Sequence, residues 1–154
     1  MKTKSEDKKE NDMIAIGSDH AGFEMKEALK AHLKDRGYEV QDFGTDSDAS
    51  CDYPEFAKAV SHAVADGKAE KGVLICGTGI GMSMAANKIK GIRAAVVGDA
   101  FSAQATREHN DANVLCMGAR VIDLEKATQF LDIFLDTPFS EGENHIRRIG
   151  KLED

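Results

Sequence analysis

The 154-residue sequence predicts an α/β fold built on a mainly parallel five-stranded sheet. Three observations predict it. Short apolar runs alternate with amphipathic stretches about five times, the connections are short, and several runs stop at a glycine. Strands joined through helices in this way pair in parallel and leave helices on both faces of the sheet.

Met13 to Ile16 reads as a buried strand, short, apolar and stopped by Gly17. From Phe23 to Asp35, Met25, Ala28, Leu29, His32 and Leu33 recur at helical spacing, and Gly37 is a natural stop. Tyr38 to Phe43 alternates and meets Gly44, which suits a second, less buried strand. Tyr53 to Ala65 reads as a helix with Pro54 in its first turn and Phe56, Val60, Ala63 and Val64 facing inward. Gly72 to Cys76 is the most strand-like run and enters the turn Gly77 to Gly81, after which Met82 to Ile89 reads as a helix. Ile92 to Val97 is a strand, Ser102 to Glu108 a helix, and Asn113 to Cys116 a strand. Asp123 caps a helix in which Leu124, Ala127, Leu131, Phe134 and Leu135 share a face. A last, partly exposed helix is expected from Glu143 to Leu152.

The chain fits one domain over residues 13–154, and its 42% apolar content is ordinary for a soluble fold. Residues 1–12 carry charges of both signs and no apolar run, which suits a disordered lead-in and excludes a signal peptide. A net charge of −7 argues against a general nucleic-acid binder, and no apolar stretch is long enough for a membrane span. The three cysteines are odd in number and lack a pairing motif, so reduced thiols in a cytoplasmic protein are expected. Neither they nor the five histidines show CxxC, HxH or HExxH spacing, so no structural zinc site is expected.

Ligands of an open α/β sheet bind beyond the carboxyl ends of its strands. There the sequence places Asp19 and His20, then Cys76 with Gly77, Thr78, Gly79 and Gly81, then Gly98 with Asp99, then Arg120. An acid, an imidazole, a thiol, a glycine loop and an arginine thus fall on one rim. Glycines in the loop let backbone N–H groups approach an anion, while the plainer explanation is tight helix–strand packing. The loop lacks the GK[ST] of a nucleotide P-loop, and its G-x-G-x-G spacing is not the dinucleotide fingerprint. Cys76 is either a small buried hydrophobe or a reactive thiol, since a free thiol titrates at about 8.5 and helix N-termini lower that value. Cys116 reads as core and Cys51, in a polar loop, as incidental. Asp19 and His20 either cap a turn or bind a ligand's hydroxyl or phosphate groups. His109 lies with Asn110 in the link between a helix and a strand, where turn chemistry competes with acid–base work. His32 and His62 read as structural. Arg148, with Arg147 and His145, forms a basic cluster that is either a solvated helix face or a phosphate clamp.

Assembled, these residues resemble the ribose-5-phosphate isomerase B family, which includes the galactose-6-phosphate isomerase subunits. The matching pieces are Gly17 to Phe23, Asp52 to Pro54, Ile75 to Gly81, Ala85 to Lys88, Gly91 to Ala94, His109 to Asp111 and Gly118 to Arg120. They stand in family order along nearly all of the chain from Met13 on. The resemblance implies a Rossmann-like three-layer α/β/α sandwich and a homodimer, with each active site at the subunit interface. Whether dimers pair into tetramers is left open. It implies no metal or organic cofactor and a phosphorylated sugar as substrate. By the same analogy Cys76 moves a proton between C1 and C2 through an enediolate, and Thr78 relays a proton between oxygens. His109 helps open the furanose ring. Asp19 and Tyr53 position the sugar, and the amides of Gly77, Gly79 and Gly81 with Asn110 stabilise the oxyanion. His20, Arg120 and Arg148 hold the phosphate. Many family members carry arginine where this chain has Asn144, so one phosphate contact is missing or comes from Arg147. The galactose-6-phosphate subunits usually lack the histidine that stands here as His109, which favours ribose 5-phosphate over a hexose phosphate. The competing readings are an isomerase of six-carbon sugar phosphates and a non-catalytic phosphosugar-binding module. Retention of Cys76, Thr78 and His109 together speaks against the second, because binding alone needs no thiol base.

Overall fold

Among the residues described by the computed structural model, 12–154, five strands form one sheet: β1 (Met13–Ser18), β2 (Glu39–Asp42), β3 (Lys71–Cys76), β4 (Ala94–Val96) and β5 (Val114–Gly118). Their order is β2-β1-β3-β5-β4, and every neighbouring pair is parallel, as expected. Six α-helices complete the fold of the described residues: α1 (Phe23–Asp35), α2 (Tyr53–Ala65), α3 (Ile80–Ala86), α4 (Ala100–Asn110), α5 (Leu124–Asp136) and α6 (Glu143–Glu153). The expected lead-in, residues 1–12, lies outside the described residues except for Asp12. Among the described residues, no helix is long and apolar enough to cross a membrane.

Two-residue alternation builds two cores. Ile14, Ile16, Val73, Ile75, Leu115 and Met117 face one way and meet Leu29 and Leu33 of α1 and Phe130, Leu131 and Phe134 of α5. Ala15, Leu74, Val114 and Cys116 face the other way and meet Val60 and Val64 of α2 and Met82 and Ala86 of α3. Each fully buried side chain of this size stabilises the fold by about 1.5–3 kcal/mol. Leu124, expected on the inner face of α5, is instead 45% exposed in its first turn. Asp123 caps that helix as expected, accepting the Lys126 N–H at 2.9 Å.

Two elements differ from the sequence reading. Helix α3 spans Ile80–Ala86 rather than residues 82–89, and β4 has three residues rather than six. Asn87 is the reason. Its side chain donates to the Ala94 carbonyl (2.9 Å) and accepts the Ala94 N–H (2.8 Å), so residues 87–93 fold into a tight loop that delays the strand. His109 and Asn110, expected in a link, form the last turn of α4, which ends at Asp111 in the left-handed region (φ 47°).

A charge stands where helical periodicity asks for an apolar residue. Lys26 is fully buried, its ammonium bonded to Asp42 (2.6 Å) and Glu27 (2.8 Å). Asp42 also receives Lys30 (2.9 Å) and the Gly44 N–H (2.8 Å). Burial pushes the Asp42 carboxyl up, but the hydrogen bonds from Lys26, Lys30 and Gly44 together outweigh it and hold the group below its ordinary 3.8. Stability from this depression is complete above 3.8 and lost as the pH falls below it. We expect Lys26→Met to cost about 3 kcal/mol in urea melts at neutral pH, the lower end for breaking a buried pair because Lys30 remains. The variant should also lose less further stability than the parent between neutral pH and pH ~3.

Candidate active site

Strands β1 and β3 are adjacent, so their carboxyl ends deliver Asp19 and Cys76 to one place. The Asp19 N–H donates to the Ile75 carbonyl at 3.2 Å. Asp19 is 7% exposed, and its Oδ1 accepts the N–H groups of Ala21 (3.0 Å) and Gly22 (3.2 Å), capping a short 3-10 turn over His20–Gly22. The capping role is therefore real. It occupies one carboxylate oxygen, and among the described residues the other has no hydrogen-bond partner.

The Cys76 side chain is nearly buried, 5% exposed, and its Sγ accepts the Gly79 N–H at 3.1 Å. That contact depends on loop shape. Gly79 has φ +83°, and a Cβ there would come 2.9 Å from the Met117 backbone. Gly118 is as tightly placed, since a Cβ on it would fall 2.6 Å from the Thr78 backbone. The 118–120 turn is thereby clamped to the loop, with Ala119 N–H on the Cys76 carbonyl (2.8 Å) and Arg120 N–H on that of Gly77 (3.0 Å). Gly79→Ala should lower stability by about 1–3 kcal/mol through strain and backbone overlap. On the role that the resemblance implies for Cys76, it should also reduce kcat by moving the donor off the sulfur, read by melting and kinetics on one preparation.

Four more groups gather at this rim. The Arg120 guanidinium lies over Gly77, its Nη1 3.5 Å from where a Cβ would stand. The Tyr53 ring covers Gly81, with Cζ 2.6 Å from that residue's virtual Cβ. Thr78 is exposed, and its Oγ1 accepts the Ile80 N–H (3.2 Å). His20 Nδ1 accepts the Cys51 N–H at 3.2 Å. An amide only donates, so the ring's proton sits on Nε2, which is a donor. Cys51, expected to be incidental, thus fixes the His20 tautomer through its backbone. Sequence reasoning had no signal for this, because any non-proline residue supplies the same N–H.

The remaining expected site residues are elsewhere. Helix α4 leaves the carboxyl rim at Asp99 and runs its 11 residues back, about 16 Å, to the opposite end of the sheet. His109 and Asn110 stand there, just before β5 begins. Helix α6 lies at the same end: Ser140 donates to the Glu108 carbonyl through Oγ (2.7 Å), and Arg93, next to β4, holds Glu153 (3.1 Å). Arg148 is exposed on α6, and His145 stacks on His109 with ring centroids 4.5 Å apart. A cleft of about 590 Å³ opens at this end, lined by Lys88, Lys90, Arg93, Asn110 and Leu152 among others. The candidate residues of one chain therefore fall into two groups, candidate half-sites at opposite ends of the sheet. Asp19, His20, Tyr53, Cys76, the 77–81 loop and Arg120 form the first; His109, Asn110 and Arg148 form the second.

Known proteins resemble this chain in sequence and in fold. Residues 14–152 match the family model described as Ribose/Galactose Isomerase. The chain is 50% identical to ribose-5-phosphate isomerase B of Escherichia coli over 136 residues, 88% of this chain and 91% of that one. Its fold matches ribose-5-phosphate isomerase B of Clostridium thermocellum with a TM-score of 0.90 at 48% identity, covering 92% of this chain and 95% of that one. A Mycoplasma genitalium ribose-5-phosphate isomerase B solved with bound ribulose 5-phosphate matches at 0.88 and 41% identity, over 92% and 93% of the two chains. The family model spans nearly every described residue, both half-sites included, and the chain belongs to the ribose/galactose isomerase family.

Proposed function

We propose that this chain interconverts ribose 5-phosphate and ribulose 5-phosphate, with Cys76 as the base. The observation that carries the reading is the near-buried Cys76 sulfur, held by the Gly79 N–H inside a rim that also presents Asp19, His20 and Arg120. Sugar-phosphate isomerisation needs an anion anchor, hydroxyl-binding groups and a base in a site shielded from water, and the rim supplies each.

The proton alpha to a carbonyl becomes acidic when the resulting oxyanion meets fixed donors. Cys76 takes the proton from C2 of the open-chain aldose, the electron pair moves onto the C1 oxygen, and the sulfur returns the proton to C1. In the loop the Gly79 amide is engaged by the sulfur and that of Ile80 by Thr78, which leaves the other amides of the 77–81 loop, with Asn110 of a second copy, to stabilise the enediolate. Thr78 relays the proton between O1 and O2. Asp19 and Tyr53 orient the hydroxyls, and His20 Nε2, Arg120 and Arg148 hold the phosphate, whose binding energy fixes C2 against the base. His109 protonates the ring oxygen O4 as the C1–O4 bond breaks, while the anomeric hydroxyl releases its proton to water.

His109, Asn110 and Arg148 stand too far from Cys76 to act in the same chain. We propose that a second copy supplies them and that the dimer holds two such composite sites. The exposed apolar side chains Ile80 (50%), Met84 (64%) and Phe101 (78%) beside the Cys76 rim support this pairing. Residues 13–154 would form the isomerase domain, and the three free thiols suit a cytoplasmic enzyme. The test is ribose 5-phosphate isomerisation by purified protein with EDTA present. Chelator-resistant turnover supports the reading, and an inactive protein directs attention to six-carbon sugar phosphates.

A further inference from the structure

The mechanism leaves one ordered ring at the second half-site unused. His109 projects from the last turn of α4 and is exposed, a place where an imidazole ordinarily samples several rotamers. Here the His145 ring lies almost parallel against it, 4.5 Å between centroids and 16° between planes. The Gly142 backbone backs His145, since a Cβ at Gly142 would approach its Cδ2 to 3.1 Å. Gly142 is itself positioned by Ser140, whose N–H (3.3 Å) and Oγ (2.7 Å) both donate to the carbonyl of Glu108, the residue before His109. Chain segment, ring and ring thus close a small loop back onto α4. Helix α6 buries none of its residues, so the stack is among the few contacts that seat it.

Ring opening imposes a geometric demand that this arrangement meets. In the furanose, O4 and the phosphate group are attached to neighbouring carbons, so the acid that protonates O4 must stand beside the groups that bind phosphate. Resting on the reading of His109 given above, we infer that His145 is a positioning residue for ring opening. Its stacked ring fixes the orientation of the His109 imidazole and couples it to the helix that carries Arg148. Acid and phosphate clamp are then presented to the substrate as one unit. Partial desolvation, then the nearby charges of His109 and Arg148, lower the His145 pKa below its ordinary 6.5, in keeping with a ring that stacks rather than carries the proton.

Two assays separate positioning for ring opening from general support of the site. Ribulose 5-phosphate cannot close a furanose ring, because its O5 is phosphorylated. Deuterium exchange at its C1 in D2O therefore needs Cys76 and the enediolate but no ring opening. His145→Ala should lower turnover of ribose 5-phosphate about tenfold or more while exchange at saturating ribulose 5-phosphate stays within about twofold of the parent. His145→Phe, which keeps a stacking ring and cannot titrate, should restore most of the lost turnover. Equal loss in both assays for His145→Ala, or loss in neither, would overturn the inference, as would a Phe variant as impaired as Ala. His109→Ala run alongside tests the underlying reading separately. If it too fails to split the two assays, the assignment of His109 falls, and the role of His145 falls with it.

Discussion

Replacing Cys76 with alanine should lower turnover of ribose 5-phosphate by about 10³-fold or more, with KM little changed and the fold intact. A general base contributes about 10²–10⁴ to rate, and 10³ corresponds to about 4 kcal/mol of transition-state stabilisation. The loss should fall on kcat because in the proposed mechanism the sulfur touches the reacting proton, whereas phosphate and hydroxyl binding are assigned to other residues. Structural damage should be slight. The side chain is small, and removing it leaves the Gly79 N–H without an acceptor but breaks no strand pairing. An unchanged melting temperature beside the lost activity identifies chemistry as the cause. Full activity in the variant would mean that the base is misassigned, and Asp19, on the adjacent strand end, would be tested next.

The second large effect concerns assembly. Cys76→Ala and His109→Ala should each be severely impaired alone, yet a mixture unfolded and refolded together should recover about a quarter of the parental activity. In a twofold dimer with composite sites, a heterodimer of the two variants has one site with both defects and one with neither. Random reassortment makes about half of the dimers mixed, and half of their sites intact. Mixing without exchange of subunits should give no recovery, which supplies the control. Failure to recover after verified exchange would place Cys76 and His109 of one chain at the same site, contrary to the run of α4 away from the rim.

Much of this layout was legible in the sequence, and what escaped it did so for definable reasons. Helices α1 and α2 end where periodicity, Gly37 and Pro54 place their limits, because local signals suffice for elements that begin and end on their own residues. The α3–β4 region was misjudged because Asn87 binds Ala94 seven residues on, a contact with no periodic signature. Lys26 reads as surface by residue type, and only pairing with Asp42 sixteen positions later explains its burial. At the candidate site, the structure brings Asp19, Cys76, the 77–81 loop and Arg120 to one rim as the strand ends and glycines implied, since the carboxyl edge of a parallel sheet gathers them. The sequence reading puts His109 in the link before β5, which in a parallel sheet lies at the amino ends of the strands and away from that rim. What it missed is that His109 and Asn110 belong to the last turn of α4, because a link and the last turn of a helix share the same Asn and Asp residues.

The Asn87 clasp has a consequence for how copies of this chain can meet. Strand β4 borders the sheet, and a border strand with free N–H and C=O groups is a template onto which a strand of another molecule can add. In β4 the β5-facing bonds involve Arg93 and Val97, so the Ala94 groups point outward, and both are already taken by the Asn87 amide. The clasp caps the growing end of the sheet as a side chain caps a helix. Continuous sheets running through two subunits at Ala94, and the aggregates that start the same way, are thereby disfavoured. Association on this flank is left to side chains, whose shape and charge discriminate between partners in a way that a bare backbone does not.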